Sequence, residues 1–223
     1  GKLKENGKLI MATNAEFEPF EYMENGKIVG IDVDIANKIA EDLGLTLEIQ
    51  NMNFDTVVTA VSSGKADIAI AGLTKTPDRE KSVDFTDSYY DASQVIIVKQ
   101  DNSEITDSNS LKDKKIAVQK GTTGDELASK LTADSNMIRF SASTDAINEL
   151  KNGKADAVVI DSFPAKVFVK QNTDLKIVGD NLSTEQYCMA VRKGNTELQK
   201  DVNAEIKKLK ENGTIDEIIK KYS

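Results

Sequence analysis

Apolar side chains along this chain fall at helical spacing in some stretches and in unbroken runs in others, and one pairing of the two occurs twice. Residues 54–74 read FDTVVTAVSSGKADIAIAGLT, and residues 144–162 read TDAINELKNGKADAVVIDS. Each passes from a short amphipathic helix through Gly-Lys-Ala-Asp into an apolar run. Val57, Val58 and Val61 share a helical face in the first copy; Ala146, Ile147 and Leu150 do so in the second. Gly64 and Gly153 stand where a helix C-terminus favours a residue of positive φ. The runs Ile68–Leu73 and Ala157–Ile160 lack alternation, as strands covered on both faces of a parallel sheet do. Helix–glycine–strand patterning is common to α/β proteins generally. The shared tetrapeptide goes further and argues for two related lobes.

The remaining pattern fits two α/β units. Lys8–Thr13 reads as a first strand. Asp32 is expected to cap a helix carrying Ile35, Ile39 and Leu43 at helical spacing, ended by Gly44. Leu45–Ile49 reads as a second strand. The second lobe opens with strand Lys115–Val118, a Gly-Thr-Thr-Gly turn and the helix Asp125–Leu131, with further strands at Ile138–Phe140 and Leu175–Val178. Val95–Lys99 and Tyr187–Arg192 read as extended crossings between lobes. Thr196–Tyr222 is helical, broken at Asn212-Gly213 and restarted by a capping box, Thr214-x-x-Glu217. The chain is thus expected to run from lobe one to lobe two and back.

Composition narrows the function. The 223 residues carry 29 basic and 37 acidic side chains, a net charge of −8, which argues against nucleic acid as a partner. There is no His, so the commonest general base and zinc ligand is missing. The single Cys, Cys188, allows neither an intrachain disulfide nor a cysteine metal cluster, and reads as a small buried hydrophobe. Neither apolar run approaches the roughly 20 residues of a membrane span. The chain opens Gly1-Lys2-Leu3-Lys4 without a signal-peptide pattern, leaving a cytosolic protein or one whose targeting segment was removed.

Ligands of open α/β sheets sit beyond the carboxyl ends of parallel strands. Here those ends deliver Asn14 and Phe17, then Ala71, Gly72 and Thr74, then Gln119, Thr122 and Thr123, and finally Asp161. Two facing lobes would bring all four sets to one cleft. Arg79 follows Thr76-Pro77, a helix N-cap and first helical position. Thr122 and Thr123 precede a helix, where amides and hydroxyls offer donors to an anion. A carboxylate clamp, an ammonium acceptor and aromatic walls (Phe17, Phe54) together meet the needs of a free α-amino acid. Each residue has an ordinary structural use as well. Arg79 reads equally as a surface residue, Asp161 as a helix cap, Gly-Thr-Thr-Gly as a βα turn, and Phe17 and Phe54 as core.

The segments FEPFEY (17–22), VGIDVDIANKIAEDLG (29–44), AGLTKTPDREKSVDFTDSYY (71–90), AVQKGTTG (117–124), GKADAVVIDS (153–162) and ENGTIDEIIKKY (211–222) resemble the solute-binding proteins of bacterial ABC importers for polar amino acids, the glutamine- and arginine-binding type of family 3. The resemblance covers nearly the whole chain. It implies the type II periplasmic-binding-protein fold, α/β, with two lobes joined by two hinge crossings around a central cleft. Lobe 1 would be residues 1–90 with 187–223 and lobe 2 residues 91–186, with hinges near 89–93 and 183–187. It also implies roles. Arg79 would grip the ligand α-carboxylate in a bidentate pair, assisted by Thr74 and the amides of Gly72 and Thr123. Asp161 would accept the α-ammonium, and Phe17 and Phe54 would sandwich the side chain. No catalytic residue, metal or cofactor is implied.

Several positions depart from the family pattern. Many basic-amino-acid and glutamine binders carry Asp where this chain has Asn14, and the glutamine binder has Lys where Gln119 stands; Ala71 and Gly72 replace serines of the lysine/histidine group. The expected ligand is arginine, glutamine or a cystine-like amino acid, with Glu16 and Asp91 as acids that could serve a cationic side chain. The expected partners are that amino acid and the importer's membrane subunits, met by a monomer outside the cytoplasm, periplasmic or lipid-anchored. A Lys-rich, Trp-free chain without a disulfide points toward a Gram-positive lipoprotein lacking its anchor. Two rivals share the fold: the sensor domain of a receptor, and a cyclohexadienyl-dehydratase-like enzyme, which without His would need Glu, Asp or Lys as proton donor.

Overall fold

The computed structural model describes residues 7–223; the first six residues of the expected first lobe lie outside them. In chain order the strands are β1 (Lys8–Thr13), β2 (Glu16–Phe17), β3 (Glu21–Glu24), β4 (Lys27–Val29), β5 (Thr46–Asn51), β6 (Ile68–Ala69), β7 (Val83–Ala92), β8 (Gln94–Lys99), β9 (Ile116–Gln119), β10 (Met137–Phe140), β11 (Ala157–Asp161), β12 (Leu175–Val178) and β13 (Glu185–Arg192). The α-helices are α1 (Ile31–Asp42), α2 (Val57–Ser62), α3 (Pro77–Glu80), α4 (Thr123–Leu131), α5 (Ser143–Lys151), α6 (Ser162–Gln171), α7 (Thr196–Glu211) and α8 (Thr214–Lys221). The chain divides into two compact units. One runs to Asp91 and resumes at Gln186–Ser223; the other is Ala92–Glu185.

The first unit is built on a five-stranded sheet of order β5-β1-β6-β13-β7. β1 pairs in parallel with β5 and β6, and β13 runs antiparallel to β6. Beside it, β2, β3 and β4 form a small antiparallel sheet. These strands hold two to four residues each, too few for a period to show in the sequence. The second unit has the order β10-β9-β11-β8-β12, with β9 parallel to β10 and β11 and β8 antiparallel to both β11 and β12.

The two stretches expected as crossings are therefore interior strands, β8 and β13. The passages themselves are shorter, at Asp91–Ala92 and Glu185–Gln186. An unbroken apolar run marks burial on both faces, not a link between units. In the second unit Val95, Ile97, Ala117, Val158 and Ile160 feed one core cluster, while Ile96, Val98, Ile116, Val118 and Val159 feed the opposite one.

The duplicated Gly-Lys-Ala-Asp has one structural job in both units. α2 and α5 each end two residues before their glycine, and Gly64 and Gly153 take φ of +82° and +76°. The Asp then clamps the neighbouring parallel strand. The Ile10 N–H donates to the Asp67 carboxylate at 2.8 Å, and the Asp67 N–H donates to the Ile10 carbonyl at 2.8 Å. Asp156 repeats this on Lys115, at 2.9 and 2.8 Å.

Two expected caps take other forms. Asp32 lies inside the first turn of α1, whose N-cap is Gly30 with no side-chain cap; the Asp32 carboxylate is turned to the interior instead. α8 starts from Gly213 at φ +81° without a capping box, and the Thr214 N–H donates to the Asn212 side chain at 3.0 Å. A left-handed glycine already redirects the chain there, so the Thr214 hydroxyl is not placed to cap.

Asp67→Ala is expected to lower stability by about 1–2 kcal/mol, because it leaves the Ile10 N–H without its acceptor. Asp156→Ala should cost less, since Asp156 is exposed to water. Urea denaturation of the two variants beside the unsubstituted chain checks both.

Candidate functional site

Within the first unit the expected site residues gather at the ends of β1 and β6. Asn14 follows β1, 5% exposed, and its Nδ2 donates to the Met52 carbonyl at 2.8 Å. That bond orients the carboxamide with its oxygen as the acceptor end. After β6 the chain turns through Gly72 at φ +53°. A Cβ there would sit 2.4 Å from Cε2 of Phe17, so only glycine lets the backbone lie against that ring. Ala71 and Thr74 are buried beside it, and Thr74 bridges to Tyr187 in antiparallel sense.

Arg79 is oriented from three sides. Its N–H donates to the Thr76 hydroxyl at 3.2 Å, the helix cap expected from Thr76-Pro77. Its Nη1 donates to the Thr74 carbonyl at 2.7 Å. Its guanidinium carbon lies 5.5 Å from the centre of the Phe54 ring, within cation–π range. A side chain held this way is pre-set, and less of its rotamer freedom is lost on meeting an anion.

Phe17 and Phe54 differ in setting. Phe17 is 7% exposed and stacks on Phe20 at 5.6 Å, with Tyr187 at 6.4 Å; Tyr90 stacks on Tyr187 at 5.6 Å. This aromatic cluster escapes sequence reading because its members lie far apart in the chain. Phe54 is half-buried against the core of the first unit. Glu16 and Asp91 are both exposed, in β2 and β7.

Within the second unit Gln119 ends β9, and its Nε2 donates to the Ser141 carbonyl at 3.0 Å. Thr122 caps α4, accepting from the Asp125 N–H at 3.1 Å and donating its own proton to the Gln119 carbonyl at 2.8 Å. Thr123 donates its hydroxyl proton to Glu185 Oε1 at 2.7 Å. Both hydroxyl protons are thus committed inside the unit. Any anion donors at this helix start are backbone N–H groups, not the hydroxyls the sequence suggested. The Gly72 amide is likewise committed: it donates to Asp32 Oδ2 at 2.8 Å, so it is not a donor to a ligand carboxylate.

Asp161 closes β11 at 5% exposure. It occupies the N-cap position of α6, yet its side chain makes no cap bond. The expected cap is thus not made by this side chain.

Glu185 and Gln94 form a buried hydrogen-bonded group that the sequence does not reveal. Glu185 accepts from Thr123 and from Gln94 Nε2, at 3.3 Å, through Oε1, and from the Ser183 hydroxyl at 2.6 Å through Oε2. The Gln94 N–H donates to that same Ser183 oxygen at 3.1 Å. A Cβ on Gly124 would stand 2.8 Å from Gln94 Oε1, so the start of α4 lies directly on this group. Cys188 is buried, and burial pushes its thiol up to about 11, which leaves it an unreactive hydrophobe.

Residues 9–223 match the family described as bacterial extracellular solute-binding proteins, family 3. The chain is 35% identical to the arginine-binding extracellular protein ArtP of Bacillus subtilis, over 96% of this chain and 86% of ArtP. It superposes at a TM-score of 0.94 and 39% identity on the amino acid ABC transporter substrate-binding protein AbpA of Streptococcus pneumoniae, solved bound to L-arginine, covering 99% of this chain and 96% of that one. An ancestral arginine-binding protein bound to glutamine superposes at 0.92 with 44% identity, covering 97% of each chain.

Glu185→Ala removes the shared acceptor of Thr123, Ser183 and Gln94. The expected loss is about 1–3 kcal/mol, the cost of stranding buried donors. Thermal unfolding of the ligand-free protein reads it, and Glu185→Gln, which keeps one acceptor oxygen, should lose less.

Proposed function

The chain belongs to family 3 of the bacterial extracellular solute-binding proteins, and from that premise we propose that it captures a free polar L-amino acid, arginine foremost, and presents it to an ABC importer. Arg79 of the first unit takes the α-carboxylate in a bidentate pair, with Thr74 beside it. Asp161 of the second takes the α-ammonium. The observation that carries the reading is Arg79 itself, a guanidinium already aimed by the Thr74 carbonyl and the Phe54 ring before any ligand arrives.

Arginine is favoured by relatives that bind it, ArtP and the arginine-bound AbpA. Asn14 and Gln119 offer carboxamides, each of which donates from its NH2 to a backbone carbonyl and carries an oxygen that accepts. Acceptors suit a guanidinium. They also suit a carboxamide NH2, which makes glutamine the second reading, in keeping with the ancestral relative solved with glutamine. The reported relatives are binding proteins, and we assign this chain binding rather than catalysis: it has no His, and no step needs one.

Isothermal titration with the polar amino acids tests the assignment. Arg79→Ala should weaken the preferred ligand about 10²–10³-fold, equivalent to losing about 3–5 kcal/mol from a desolvated ion pair. Agmatine, which lacks the carboxylate, should bind far more weakly than arginine; equal binding of the two would end the carboxylate assignment. Asn14→Asp should raise the preference for arginine over glutamine by about tenfold, because a carboxylate added there favours a cationic side chain. Competition between the two ligands measures the shift.

A further inference from the structure

The first unit buries two carboxyl groups that the grip on the ligand does not use. Asp32 and Glu21 are both fully buried, and their carboxyl groups are neighbours. The other contacts of the pair are specific. Tyr89 donates its hydroxyl to Asp32 Oδ1 at 2.7 Å, and the Thr13 hydroxyl donates to Glu21 Oε1 at 2.7 Å. The Gly72 N–H donates to Asp32 Oδ2 at 2.8 Å.

A buried charge is costly, and an apolar pair of similar volume would serve the fold as well or better. What the pair does locally is anchor one backbone amide. Gly72 starts the turn that continues through Thr74, whose carbonyl holds the Arg79 guanidinium. Thr13, at the other end of the network, directly precedes Asn14. We propose that Asp32 is a positioning residue for amino-acid binding: its carboxylate, held by Tyr89, fixes the Gly72 amide and through it the 72–74 turn that aims Arg79. This inference rests on the amino-acid reading above and adds to it a residue that touches no ligand.

The anchor has a pH dependence. Burial raises the Asp32 carboxyl to about 6, opposed by its contacts with Glu21, Tyr89 and Gly72. The titratable groups on the elements packed around it are Glu21 on β3, Tyr89 on β7 and, beyond Tyr89, Cys188 on β13. Burial raises both the Tyr89 phenol and the Cys188 thiol, so both stay neutral across the range. A group raised in the folded state adds stability below its unfolded range, and that stability is lost as pH rises through about 6. The anchoring of Gly72 runs the opposite way. A carboxylate accepts an N–H more strongly than a neutral acid does, so the turn is held best above that point. Ligand affinity should therefore fall as pH drops, while the pair's share of stability rises.

The test is ligand affinity between pH 5 and 8, with the amide signal of Gly72 followed by NMR in ligand-free protein. In the unsubstituted chain, affinity should weaken about tenfold toward the acid end, the loss of a charge-assisted anchor, and the Gly72 signal should titrate over the same range. Asp32→Asn should bind about tenfold more weakly at pH 7.5, show no inflection, and melt no lower than the unsubstituted protein at that pH, since it no longer buries a charge. Tyr89→Phe removes a donor to the carboxylate and should move both inflections to higher pH. Glu205, raised to about 7 by burial and its Asp42 neighbour, is a control: Glu205→Gln should leave the profile unchanged. Unaltered affinity in Asp32→Asn, a flat Gly72 signal, or a loss of affinity matched by a loss of melting temperature would each overturn the proposal. The Gly72 signal needs no ligand, so a failure of the amino-acid reading, in which the unsubstituted chain takes up no amino acid, is distinguishable from a failure of this one.

Discussion

Sheets buried on both faces confine polar chemistry to the ends of their strands, and most features of this protein follow from that confinement. In the second unit successive residues of β8, β9 and β11 point into opposite apolar clusters, so no polar side chain fits along their lengths. The polar residues appear where the strands stop: Thr13 at the end of β1 and Asn14 just after it, Gln119 at the end of β9, Asp161 at the end of β11. Backbone groups freed at those ends need partners. The side chains that satisfy them also fix the local course of the chain.

The same economy explains why several expected donors are unavailable. The Thr122 and Thr123 hydroxyls and the Gly72 amide look like ligand contacts in the sequence, yet each is bonded inside its own unit. The groups assigned to the ligand's two poles are long or terminal side chains, and the shorter groups behind them keep them in register. That division of labour matches the general requirement that a binding group be held by a second layer of contacts.

Much of this organisation was legible in the residues. Gly-Lys-Ala-Asp marked the helix-to-strand joint in both units because its glycine and its aspartate each have one geometric task, and both tasks are set locally. Thr76-Pro77 placed the start of α3 and hence Arg79 for the same reason. What escaped reading depends on partners distant in the chain. Asp32 resembles a cap by position, but its partners are Glu21, Gly72 and Tyr89, from 11 to 57 residues away. Glu185 looks like one more acid until Thr123, 62 positions earlier, is brought beside it. β8 and β13 read as links in the sequence, because extended apolar sequence does not say which neighbours it will pair with.

Glu185 and Gln94 also bear on how such a chain could be rebuilt. They stand within three residues of the two places where the second unit begins and ends, and Leu182 and Ser183 bond directly to the Gln94 backbone. Residues 92–185 thus form a continuous cassette whose entrance and exit are stitched together. Segments with adjoining ends tolerate excision and grafting, since a short connector can replace what lies outside them. Recombination between relatives could exchange this cassette whole without redesigning either core.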